Sequence, residues 1–118
     1  MINSTINAQS IKRNDGAIIA KGEILVFLDD DVIADKNLLR EYSDAHQNSR
    51  KEVLLGLSLF SEKRSRKSNL LRYRNDRAAK IINNKNRINP ENFVSMNFSI
   101  KKKDFIDIGM FVPTFTNY

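Results

Sequence analysis

Cysteine is absent from all 118 residues, and histidine occurs once, at His46. The first absence excludes disulfides and thiolate chemistry and leaves nothing that points to an oxidising compartment. The second removes His-rich metal sites and argues against a Ser-His-Asp arrangement; His46 itself reads as a helix-surface residue. No apolar run approaches the ~20 residues of a membrane-spanning helix, and the opening Met1-Ile-Asn-Ser-Thr5 is too polar for a signal peptide. There is no internal repeat and no linker, so residues 1–118 read as one small domain with a single core.

Charge is present in both signs but unevenly spread. Between Ser61 and Lys103 there are 13 Lys or Arg against 3 acids, Glu62, Asp76 and Glu91, while the rest of the chain holds 7 basic and 11 acidic residues. An acidic centre followed by a basic segment suits a phosphate-bearing ligand, an anionic membrane surface or nucleic acid.

The acidic centre follows the strongest apolar run. Ile24-Leu-Val-Phe-Leu28 leads straight into Asp29, Asp30 and Asp31, with Gly22 before it. Such a run predicts a buried strand of a parallel sheet, and open α/β sheets place their ligands at the C-terminal ends of their strands. Strand alternation would put Asp29 and Asp31 on one side and Asp30 on the other. Three adjacent carboxylates repel one another, so the cluster calls for a positive partner. A divalent ion that prefers oxygen, Mn²⁺ or Mg²⁺, fits.

Around this strand the pattern predicts a helix over about Ser10 to Ala20, stopped by Gly22, and a second over Lys36 to Gln47 capped by Asp35. A second strand is expected in Glu52–Phe60, a basic loop at 61–68 and a helix over Asn69–Ile82. The stretch 83–90 reads as loop. Phe93 to Ile100 alternates, which predicts a third strand with one apolar and one mostly polar face. Lys101 to Lys103 closes it, and Asp104–Ile108 reads as a short helix stopped by Gly109. Phe93, Phe98, Phe105, Phe111 and Phe115 are the expected aromatic core. Strands separated by helices make the fold class α/β, a small mainly parallel sheet flanked by helices.

Three stretches, in order, resemble glycosyltransferase family 2, the inverting nucleotide-sugar transferases of the GT-A fold. Lys12-Arg-Asn-Asp-Gly-Ala17 with Ala20-Lys-Gly-Glu23 is similar to the family's Arg-Asn-x-Gly helix and its entry to the central strand. Phe27-Leu-Asp-Asp-Asp-Val32 is similar to its Asp-x-Asp motif. Asn97-Phe-Ser-Ile-Lys-Lys102, with Phe105 and Gly109-Met-Phe111, is similar to its Asn-x-Ser strand and the turn after it. The resemblance implies the central part of a GT-A domain, with the family's first strands and its acceptor-activating acid lying outside these residues. It implies that Asp31, with Asp29, holds Mn²⁺ or Mg²⁺ against the diphosphate of a UDP-linked or similar donor. Arg13, Lys12, Asp29 and Asp30 would bind the nucleotide, and Asn97 and Ser99 would line the acceptor side, where a glycan or polysaccharide binds. The general base would lie beyond Tyr118. A cytoplasmic location follows, at the membrane face if the basic segment meets anionic lipid.

The family's turn reads Phe111-Val112-Pro113 here, without its two acids. An apolar strand ending in Asp-x-Asp also opens haloacid-dehalogenase-like phosphatases, whose nucleophile is the first Asp. That pattern wants Thr or Val where Ile33 stands, and a Gly-Asp loop that the chain lacks. A non-enzymatic alternative takes Lys63 to Arg87, with ten basic residues and Tyr73 as a stacking ring, as a nucleic-acid or anion-binding surface. No recognisable binding motif organises those charges, so no nucleic-acid partner is expected.

Overall fold

The computed structural model describes residues 8–48, 53–83 and 90–112. The elements run α1 (Ala8–Ile19), β1 (Ile24–Leu28), α2 (Leu38–Asn48), β2 (Leu54–Leu55), α3 (Glu62–Ser65), α4 (Asn69–Asn83), a 3₁₀ turn (Pro90–Asn92), β3 (Asn97–Lys101) and α5 (Lys102–Asp107). Asp35 starts α2 through an Asx turn, its carboxylate accepting from the Asn37 N–H at 2.8 Å and its carbonyl from the Leu38 N–H at 3.0 Å.

The three strands form one sheet in the order β1-β3-β2. Both ladders are antiparallel, with Phe27 opposite Phe98 and Leu55 opposite the same Phe98. The expected mainly parallel sheet is therefore corrected. β1 and β2 do run in the same direction, as a β-α-β crossover demands. The late strand β3 lies between them and points the other way. An apolar run marks burial but carries no mark of strand direction, which is why β3's insertion was not legible.

Insertion between two strands buries β3 on both faces: Asn97, Phe98, Ser99 and Ile100 are all buried. Phe98 and Ile100 join Ala17, Leu25 and Phe105 in the core, with Phe27, Met110 and Phe111 packed against them. Phe27 and Phe98 stack at 4.6 Å between ring centroids, and Phe111 meets Phe27 edge-on at 5.4 Å. Burying each such ring contributes roughly 1.5–3 kcal/mol. Phe93 stays 42% exposed, touching Phe98 by its edge, and Phe115 lies outside the described residues.

The opposite face of β3 is the expected polar face, but it is not solvated. Ser99 is 0% exposed and Asn97 5%, both covered by α2. Tyr42 Oη donates to Asn97 Oδ1 at 2.7 Å, and His46 Nε2 shares a hydrogen bond with Ser99 Oγ at 2.9 Å. Four residues of helix advance about 6 Å and two residues of strand about 6.6 Å, so the two pairs match rung for rung. His46, expected on a helix surface, is 2% exposed at the centre of this contact. Burial pushes the Tyr42 phenol above its ordinary pKa, opposed in smaller part by the Gly56 backbone, which keeps it a donor to Asn97.

Several boundaries differ from expectation for local reasons. Only Leu54–Leu55 of the second apolar run is paired, because beyond Gly56 the partner strand has ended. Residues Glu62–Ser65 of the expected basic loop form α3, whose Ser65 N–H donates to Ser61 O at 2.9 Å. Gly22 does not adopt the left-handed conformation of a helix stop. Instead the Lys102 ammonium donates to Ile18 O at 2.8 Å and Ala20 O at 2.6 Å, closing the C-terminus of α1 with a cation. The loop expected at 83–90 falls mostly on residues outside those described.

Gly109 is a helix stop as expected. With φ of 92° it lets its own N–H reach Ile106 O and the Met110 N–H reach Phe105 O, both at 3.0 Å, a Schellman closure of α5. A Cβ at Gly109 would meet nothing within 4 Å, so Gly109→Ala carries only the backbone penalty, about 1–2 kcal/mol for a left-handed L-residue. Gly16, inside α1 and equally unobstructed, gives the opposite sign: Gly16→Ala is expected to stabilise by about 0.5–1 kcal/mol. Urea midpoints at unchanged slope test the pair; a stabilising Gly109→Ala would contradict this closure.

Candidate functional site

β1 and β2 end at the same edge of the sheet, beside the start of β3. β1 stops at Leu28, so strand alternation ends before the carboxylates begin. The Asp29 N–H donates to Met96 O at 3.0 Å, and the Val32 N–H donates back to Asp29 O at 3.1 Å. That second bond closes a tight turn with Asp30 and Asp31 at its two corners, both exposed. The division among the three acids is therefore not by side of a strand. Asp29 is held in and its two neighbours are held out.

The positive partner that the acidic cluster calls for is, in part, protein. Arg13 Nη2 lies 2.6 Å from Asp29 Oδ1, with the two side chains 29% and 35% exposed. Its other nitrogen, Nη1, donates to Ser95 Oγ at 3.3 Å, and its guanidinium sits 5.7 Å from the centre of the Phe111 ring. A planar guanidinium suits this position because it can bond in plane and lie over a ring at once. At this exposure the ion pair itself adds only about 0–1 kcal/mol of stability, so stability alone is a weak reason for it. The next residue fixes the helix: Asn14 Nδ2 donates to Phe111 O at 2.9 Å while Asn14 Oδ1 accepts from the Phe111 N–H at 3.0 Å.

The three stretches quoted from the sequence thus meet. The first reaches the second through Arg13 and Asp29, and the third through Asn14 and Phe111. The β1–β3 ladder joins the second to the third. A profile described as glycosyl transferase family 2 matches residues 1–115.

The chain belongs to glycosyltransferase family 2.

No curated protein and no solved structure matches it. Family 2 membership implies, in general terms, a nucleotide-sugar donor and an acceptor. The elements described are the mixed helices and strands of such a chain, here with a three-stranded antiparallel sheet.

The remaining candidates are placed as follows. Lys12 is exposed on α1, and no hydrogen bond or ion pair ties it to the Asp turn among the described residues. Asn97 and Ser99 are buried beneath α2 and engaged by Tyr42 and His46. Among the described residues no three His, Cys, Asp or Glu side chains converge into a cage for a metal ion. Oxygen donors are nevertheless present in the exposed pair at the turn, and Mg²⁺ commonly takes one or two carboxylates and completes its shell with water and substrate phosphates. Among the described residues no helix is long and apolar enough to cross a membrane.

Ser95, expected on the third strand, and Phe111, expected in the aromatic core, also complete the surroundings of Arg13, a role not foreseen for either. Neither carries a spacing signal, since both lie far from Arg13 in the chain. Tyr42 and His46 were legible in principle. An i, i+4 polar pair on a helix facing an i, i+2 polar pair on a strand is a matched set.

Proposed function

We propose that this chain forms the nucleotide-sugar side of a metal-dependent, inverting glycosyltransferase that uses a UDP-linked or similar donor and a glycan or polysaccharide acceptor. The observation that carries the reading is the edge where Arg13, held against Asp29 and Phe111, borders a turn with Asp30 and Asp31 exposed, in a family 2 chain. Asp31, assisted by Asp29, is the proposed holder of Mn²⁺ or Mg²⁺. A divalent ion bound there supplies Lewis-acid neutralisation of the diphosphate leaving group. Asp30 and Lys12 contribute to nucleotide binding from the exposed side.

Arg13 does two things in this reading. Its charge offsets that of Asp29 beside the turn. Its fork also remains near enough to the edge to bond a phosphate or base edge of the nucleotide. Asn97 and Ser99 act indirectly: by anchoring α2 they set the position of the strand ends from which the acceptor side is built. Direct inversion also needs a base within hydrogen-bond reach of the acceptor hydroxyl, and no residue of this chain is proposed for that role.

Titration of UDP into the chain in Mn²⁺ tests the reading. Arg13→Ala is expected to weaken UDP about tenfold or more, the scale of one lost hydrogen bond to a charged group at about 1.5–3 kcal/mol. Arg13→Lys should recover only part of that, because an ammonium is a point charge without the planar fork. Full recovery by Lys, or no loss in the Ala variant, would remove Arg13 from the nucleotide site.

A further inference from the structure

In the strand order β1-β3-β2 the outer strands are β1 and β2, and neither has a second partner strand among the described residues. β2 is two residues long and offers little to a neighbour. β1 is a five-residue strand, and the direction of its outward groups follows from its bonds to β3. The Lys102 N–H donates to Glu23 O at 2.7 Å and the Asp29 N–H to Met96 O at 3.0 Å, so the odd-numbered residues of this stretch face β3. The N–H and C=O groups of Ile24, Val26 and Leu28 therefore point outward.

Edge strands that stay single are commonly guarded by a charge, a proline or a bulge. Ile24-Leu-Val-Phe-Leu28 has none of these: it is uncharged, contains no proline and pairs with β3 residue for residue. Its charges sit at the two ends and are of opposite sign. Lys21 precedes the strand and Asp30 and Asp31 follow it, all three exposed. Such a strand complements itself when a second copy is turned end for end. An antiparallel pairing centred on Val26 sets Val26 against Val26 and Ile24 against Leu28, so every outward residue of both copies finds a partner. Registers shifted by two residues leave one of them unpaired. The centred register also covers Leu28, 37% exposed, with Ile24 of the other copy. Lys21 of each copy falls beside the other's acidic turn, while Glu23 falls opposite Asp29, whose charge Arg13 already offsets.

We propose that two copies of this chain join through β1 as a two-fold dimer, their sheets running on into one and Lys21 of each copy supplying a positive partner to the acidic turn of the other. The contact is isologous, so it closes at two copies. It stands whether or not that turn binds a nucleotide.

The chain has no cysteine, so a single introduced thiol reports the register. Hydrogen-bonded residues facing each other across an antiparallel pair lie about 5.5 Å apart between Cα atoms, inside the roughly 4.4–6.8 Å span of a disulfide. Val26→Cys should therefore give a covalent dimer under mild oxidation. Ile24→Cys alone should not, since its two copies lie about 13 Å apart along the strands, but Ile24→Cys mixed with Leu28→Cys should. Sedimentation equilibrium of the parent chain should show exchange between monomer and dimer. Val26→Pro should weaken the dimer at least tenfold with an unchanged far-UV circular dichroism spectrum, because that N–H faces away from β3 and its loss takes no bond from the sheet. Lys21→Glu should weaken it about two- to thirtyfold, the scale of two exposed ion pairs. If Val26→Pro unfolds, the thiol variants decide alone. A parent chain that stays monomeric to about 1 mM, growth past the dimer, a folded Val26→Pro chain that dimerises like its parent, or equal cross-linking of Ile24→Cys and Val26→Cys would each overturn the proposal.

Discussion

Gly56→Ala is expected to destabilise this chain by about 2–6 kcal/mol, the sum of an overpacking cost of about 1–3 kcal/mol and the loss of a buried hydrogen bond at about 1–3 kcal/mol. A methyl group at Gly56 would fall onto Asn97 Nδ2 and Cγ and onto Tyr42 Oη, all well inside van der Waals contact. None of these can easily move. Asn97 is a buried residue of the central strand, its side chain bonded to Tyr42 at 2.7 Å and its carbonyl accepting from the Gly56 N–H at 2.9 Å. Relief therefore means either shifting the strand or breaking the Tyr42–Asn97 bond. A small domain has about 5–15 kcal/mol in total, so the variant should lose a large part of its stability. Far-UV circular dichroism during thermal unfolding reads it directly.

The Gly56 effect can be tied to its cause by a second variant. Tyr42→Phe removes the hydroxyl that the new methyl would strike, so Gly56→Ala and Tyr42→Phe together should cost less than the sum of the two. Residues in contact commonly show such coupling at about 0.5–3 kcal/mol. Simple additivity, or a Gly56→Ala chain that melts like its parent, would mean that α2, β2 and β3 do not meet as closely as described.

The elements of this fold were legible where one feature of the sequence maps onto one feature of structure. Ile24 to Leu28 is a strand because nothing but apolar residues occupies it, and Gly109 ends a helix because its conformation needs glycine. What was illegible depends on partners far along the chain. The direction of β3 is set by which strands it lies between, and that information is spread over residues 24 to 101. The closing of α1 by Lys102 is another such case, since a lysine 82 residues from Ala20 carries no local mark of the role. Asn97 and Ser99 show how a correct pattern misleads. Their alternation with apolar neighbours is real, but a helix carrying Tyr42 and His46 covers the polar face and turns an apparent solvent side into a second, hydrogen-bonded core. Within the candidate site, the Asp triplet and Arg13 were both visible; that they pair with each other was not, because an acidic cluster demands a positive partner without saying which.

Asp31→Ala is the second large effect expected, and it falls on binding, not on stability. Asp31 is exposed at the corner of a turn held by main-chain bonds, so its side chain holds no part of the fold together. Unfolding should shift by less than about 0.5 kcal/mol, as for other surface substitutions. If Asp31 holds the proposed metal, affinity for UDP in Mn²⁺ should drop by at least about 100-fold, since removing even outer-shell partners of a metal costs roughly 10–100-fold. Asp30→Ala, at the other corner, should weaken UDP less, because its proposed contact is to the nucleotide alone. Stability unchanged with binding lost is the combination that separates a ligand from a structural residue.

The measurement that bears most directly on this account is a calorimetric titration of UDP into the parent chain and into Asp31→Ala, each in Mn²⁺ and again in EDTA. The parent is expected to bind UDP at least about tenfold more tightly in Mn²⁺, and Asp31→Ala in Mn²⁺ to behave like the parent in EDTA. A parent that binds UDP equally with and without the metal, or an Asp31→Ala chain indistinguishable from the parent in Mn²⁺, would contradict it.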